Sequence, residues 1–63
     1  MKIFEGHAPA MQEAEIQSRT NKTEVYVIKC NIGGLRYAVI DATKELPVES
    51  SILNHYKSGL VLI

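Results

Sequence analysis

The sequence predicts an α+β domain: a small antiparallel sheet built on a central β-hairpin (24–42), with one or two helices packed on one face. Three observations carry this. Thr23, Val25, Tyr26, Val27 and Ile28 are strand formers that lead to Gly33-Gly34, and Leu35 to Ile40 answer on the far side. Ala8 to Arg19 is rich in helix formers behind Pro9. Pro47 opens a later stretch with apolar residues at helical spacing, closed by Gly59.

With Gly33-Gly34 as a two-residue primed turn, Ile32 faces Leu35, Cys30 faces Tyr37, Ile28 faces Val39 and Tyr26 faces Asp41 on one side of the ribbon. The other side pairs Asn31 with Arg36, Lys29 with Ala38, Val27 with Ile40 and Val25 with Ala42, so it is polar near the turn and apolar near the base. The difference between the faces holds the register, since a one-residue slip exchanges core and solvent side chains. In this register Tyr26 and Tyr37 share the apolar face.

Lys2 to Glu5 reads as a short strand ended by Gly6. Ala8 to Arg19 supports two readings. Propensity, Pro9 in the first turn and Arg19 in the last favour a helix, which is the leading reading. Its stripe of Met11, Ala14 and Ser18 is thin. The alternation of Ala10, Ala14 and Ile16 with charged and amide residues instead suits a strand joined to the hairpin through Thr20 to Thr23, with Arg19 opposite Glu24. In the second helix Val48, Ile52 and Tyr56 share a face with Leu53 beside them, and Leu60 to Ile63 follow with no polar side chain. With the first segment as a helix the order is βαββαβ, the split βαβ arrangement at its smallest; with it as a strand, an antiparallel meander covered by one helix results.

All 63 residues make one domain, and a chain this short leaves much of its surface in water. A single cysteine, Cys30, excludes an internal disulfide, and no ligand spacing marks a metal site. Self-association is the remaining way to bury more apolar surface, which 46% hydrophobic residues can supply, so a homodimer is expected. Leu60, Val61, Leu62 and Ile63 are its candidate interface.

Seven basic and seven acidic residues cancel, which excludes a general polyanion binder and an acidic DNA mimic. The hairpin region is nevertheless locally basic. Arg19, Lys22, Lys29 and Arg36, with Asn31, are candidate contacts to a partner or to phosphate. The first residues hold too little apolar length for a signal peptide, and Leu60–Ile63 is too short to span a bilayer. A cytoplasmic location without membrane contact is expected, and Asn21-Lys22-Thr23 then serves as a polar turn.

Catalytic groupings are sparse. Cys30 falls between apolar neighbours, where a cysteine acts as a small hydrophobe. His7 and His55 stand alone, and His55, Asp41 and Cys30 make a triad only if they meet across an interface. Gly33-Gly34 is too short to cradle phosphate. In size and element order the chain resembles the small heavy-metal-binding domains and the very small tautomerases. It carries Gly6-His7-Ala8-Pro9-Ala10-Met11 where the former have paired cysteines, and Lys2 where the latter have a catalytic proline.

The function expected from these residues is that of a non-enzymatic interaction or regulatory protein without cofactors, acting on a protein partner through a sheet edge or a dimer surface. The alternative is a nucleic-acid-binding regulator using the basic hairpin edge.

Overall fold

A computed structural model describes residues 1–63. The elements are β1 (Lys2–Phe4), α1 (His7–Asn21), β2 (Glu24–Asn31), β3 (Leu35–Asp41), β4 (Ser51–Lys57) and β5 (Leu60–Val61). They form one antiparallel sheet in the order β1-β3-β2-β4-β5, so the architecture is α+β with a central hairpin and one helix. No helix is long and apolar enough to cross a membrane.

The helix reading of the first segment holds. Its sheet-facing stripe is Ala10, Ala14 and Ser18, each fully buried, packed with Val25, Val27, Val39 and Tyr56. Three small residues at a spacing of four let the helix backbone lie close to the sheet. The thin stripe is therefore a close-packing surface, with Phe4, Met11 and Tyr37 closing its margins. Lys22 ends the helix in the left-handed conformation (φ 53°), with its own N–H and that of Thr23 returning to the Ser18 carbonyl.

The hairpin register differs from the expected one by one residue. Asn31 pairs with Leu35, so the loop is Ile32-Gly33-Gly34 and not the two glycines alone. The cause is local: Asn31 Oδ1 accepts the Gly34 N–H (3.1 Å), and both glycines have positive φ, a conformation open to them without a Cβ clash. Cys30 consequently faces Arg36, Ile28 faces Ala38 and Tyr26 faces Ile40. The two tyrosines part company, Tyr37 going to the helix side and Tyr26 to the opposite face with Ile28, Cys30, Ala38 and Ile40.

The second helix is absent, and the βαββαβ order is replaced by βαββββ. Residues 51–57 form a strand on the second edge of β2. A β-bulge hides it in the sequence. Val27 faces Asn54 while the next residue, Ile28, faces Ile52, so Leu53 is the extra residue. Ile52 and Tyr56 look like one helical face, yet the bulge sends them to opposite faces of the sheet.

Two connections cross the sheet. β1 and β2 run parallel with β3 between them, and α1 joins them over one face. β3 and β4 run parallel with β2 between them, and residues 42–50 join them over the other. Both connections step the same way across the sheet from strands of opposite direction, so a common hand places them on opposite faces. The second connection is a strap without a helix. Asp41 starts it by accepting the Thr43 N–H (2.9 Å) and hydroxyl, which holds its carboxyl below the usual carboxylate range. Leu46 then packs on Ile28, Cys30, Ala38 and Ile40.

Enlarging Ala14 tests the close approach of α1. Ala14→Leu is expected to lose about 1–3 kcal/mol by overpacking, read from urea unfolding. Ile16→Leu on the exposed helix face is expected to change stability by less than about 0.5 kcal/mol.

Candidate binding edge

The carboxyl-terminal strand forms one border of the sheet, and its position is fixed by the helix. Ser58 and Gly59 make a tight turn with φ of 50° and 86°, the geometry of a two-residue hairpin loop. That turn is docked on the end of α1. Gly59 N–H donates to Ser18 Oγ (2.9 Å), the Ser18 hydroxyl donates to the Glu15 carbonyl (3.1 Å), and Ser58 N–H reaches the Thr23 carbonyl (3.4 Å). A Cβ at Gly59 would come within 2.8 Å of the Arg19 side chain, which also pairs with Glu15 at 2.9 Å.

The first turn of α1 fixes the other end of the strand. His7 stacks on Tyr37 (ring centroids 5.3 Å apart) and donates to Asn54 Oδ1 (2.7 Å). Asn54 Nδ2 in turn donates to the Ile63 carbonyl (3.2 Å), which also accepts the His55 N–H (3.0 Å). A chain of contacts thus runs from β3 through the helix start to residue 63.

Held from behind, the strand is open in front. Lys57 and Leu60 are the hydrogen-bonded pair next to the turn, Tyr56 and Val61 the following non-bonded pair, and Leu62 N–H returns to the His55 carbonyl. This phase points the N–H and C=O of Val61 away from β4. Leu60, Val61, Leu62 and Ile63 are 70, 55, 51 and 69% exposed, and none carries charge. Leu60 and Leu62 project on the strap side, Val61 on the helix side beside Tyr56.

His55 lies next to this edge on β4. Its Nε2 pairs with Glu24 at 2.9 Å and its ring meets the edge of Tyr26 (4.9 Å). Asp41 is occupied by Thr43, and Cys30 is buried. His55, Asp41 and Cys30 therefore do not meet within one chain. No three His, Cys, Asp or Glu side chains converge on a common point.

The basic residues of the hairpin region are dispersed. Arg19 and Lys22 sit at the end of α1 beside the start of β2. Lys29 lies about 17 Å further along that strand at the usual rise per residue. Lys29 is on the helix side, whereas Arg36, bonded to the Leu35 carbonyl (2.8 Å), faces the strap side. Asn31 is engaged in the hairpin loop. These side chains do not form one stripe.

Two contacts that shape the edge, Ser18 with Gly59 and His7 with Asn54, had no signal in the sequence, because their partners lie 41 and 47 residues apart. Comparisons with protein-family models, curated proteins and solved structures found no match.

Two measurements test the way the edge is held. Gly59→Ala is expected to destabilise by about 1–3 kcal/mol, since it adds a backbone penalty to the collision with Arg19. Tyr56 gives a pH test. Burial, with Glu15 nearby, raises its phenol above 10.0, so the fold holds the neutral form more tightly than the unfolded chain does. Stability is then fully present below pH 10 and falls as pH rises beyond it. Tyr56→Phe is expected to flatten that alkaline loss, read from urea unfolding at a series of pH values.

Proposed function

We propose that this chain is a small non-enzymatic interaction and regulatory protein that binds another polypeptide by pairing an extended strand with β5. The observation that carries this reading is the uncharged Leu60–Ile63 edge, braced behind and open in front. Sheet edges in monomeric proteins are usually blunted by charge, proline or a covering loop. The border at β1 has such features: it is three residues long, and Lys2 sits there within 3.4 Å of Glu13. The β5 border is shorter still, at two residues, but it carries neither charge nor proline. Strand addition draws affinity from main-chain pairing and selectivity from alternating side chains, here leucines on one face and valine on the other. A reducing, cytoplasmic setting suits the single unpaired Cys30.

The test compares baits in an extract treated with nuclease. Val61→Pro removes only an outward-pointing N–H, a change that edge strands tolerate. A specific protein partner is expected with the parent chain and with Arg36→Ala, and is expected to be lost with Val61→Pro. Capture that disappears with nuclease and with Arg36→Ala, but survives Val61→Pro, would contradict the sheet-edge reading in favour of nucleic-acid binding.

A further inference from the structure

We infer that the strand taken by β5 is that of a second copy of this chain, paired antiparallel about a two-fold axis at Val61. The inference rests on the sheet-edge reading above and names its partner. The phase of β5 carries it. The outward N–H and C=O of Val61 lie side by side, so each copy's Val61 can donate to and accept from the other, closing a hydrogen-bonded pair on the axis. Leu60 then stands opposite the partner's Leu62, and Leu62 opposite the partner's Leu60. Four leucines meet on the strap side, while the two Val61 side chains meet on the helix side.

Charge placement agrees with this symmetry. Residues 59–63 contain no ionisable side chain, so the two-fold brings no like charges together. One strand back, Lys57 neighbours Leu60, and His55, bonded to Glu24, neighbours Leu62. Across the axis each Lys57 therefore lines up with the partner's His55, not with the partner's Lys57, and each Lys57 has Glu24 of its own chain on its other side. A head-to-tail alternative, β5 on the β1 border of another copy, does not close, so it would build filaments. The symmetric pairing closes at two.

A four-residue edge buries less than the roughly 800 Å² per partner of a standard interface, so a dissociation constant in about the micromolar range is expected. Sedimentation equilibrium from about 1 to 500 μM should show mass rising from 7.0 kDa towards twice that value and no further. Val61→Pro should weaken the dimer at least about tenfold while leaving the circular dichroism of the monomer unchanged. Leu62→Asp, which places two carboxylates beside the leucine cluster, is the second variant and should do the same; Arg36→Ala should not. A monomer at every concentration, species larger than a dimer, or parent-like dimerisation in both edge variants would overturn the inference. A monomer whose capture of another protein is still lost with Val61→Pro overturns self-pairing alone. Capture indifferent to Val61→Pro strikes the sheet-edge reading itself.

Discussion

The structure depends on β2 being buried on both faces. Val25 and Val27 point to the helix, Ile28 and Cys30 to the strap, and all four are at most 2% exposed. In a chain this small that is a large share of the core, and each fully buried aliphatic side chain contributes about 1.5–3 kcal/mol. A strand buried this way must be paired on both edges, because its N–H and C=O groups cannot reach water. β3 supplies one edge and β4 the other. The requirement explains why residues 51–57 are a strand although Pro47 and the spacing of Val48, Ile52 and Tyr56 suit a helix.

From that requirement the rest of the topology follows. Placing β3 and β4 on either side of β2 makes them parallel, so residues 42–50 must travel the length of the sheet. Parallel strands are usually joined through a helix. Here an extended strap does the work, and Leu46 is the side chain that seals it to the core. The residues not spent on a crossover helix become β4 and β5, which moves the sheet border to Leu60–Ile63. The single helix then holds that border at both ends, through Ser18 at Gly59 and through His7 and Asn54 at Ile63.

Much of this was legible in the residues. The α+β class, the hairpin strands, the first helix and the apolar character of 60–63 rest on propensity and pattern, which act locally. What was not legible came from interactions that override pattern. Asn31 bonding to Gly34 lengthened the hairpin loop by one residue and moved Tyr37 to the helix side. The bulge at Leu53 broke the alternation that would have marked β4. The expected stripe of Met11, Ala14 and Ser18 looked too thin to dock a helix, yet the observed one, with Ala10 in place of Met11, is smaller still, and small side chains are what a close approach to the sheet requires. For the candidate site, the exposed apolar segment could be read directly. The bracing that keeps it extended depends on residues distant in sequence, and the dispersal of Arg19, Lys22, Lys29 and Arg36 follows from the register and the topology.

The central claim is that the main chain of Val61 is left open by its own fold and closed by a partner strand. Amide hydrogen exchange resolved by NMR at Val61 and Leu62 tests this most directly. In dilute protein the account predicts fast exchange at Val61 and protection at Leu62, whose N–H bonds to His55. Raising the concentration, or adding a strand-donating partner, should then protect Val61 selectively. Protection of Val61 already complete at the lowest concentration and unchanged by dilution, or exchange that stays fast under all these conditions, would contradict it.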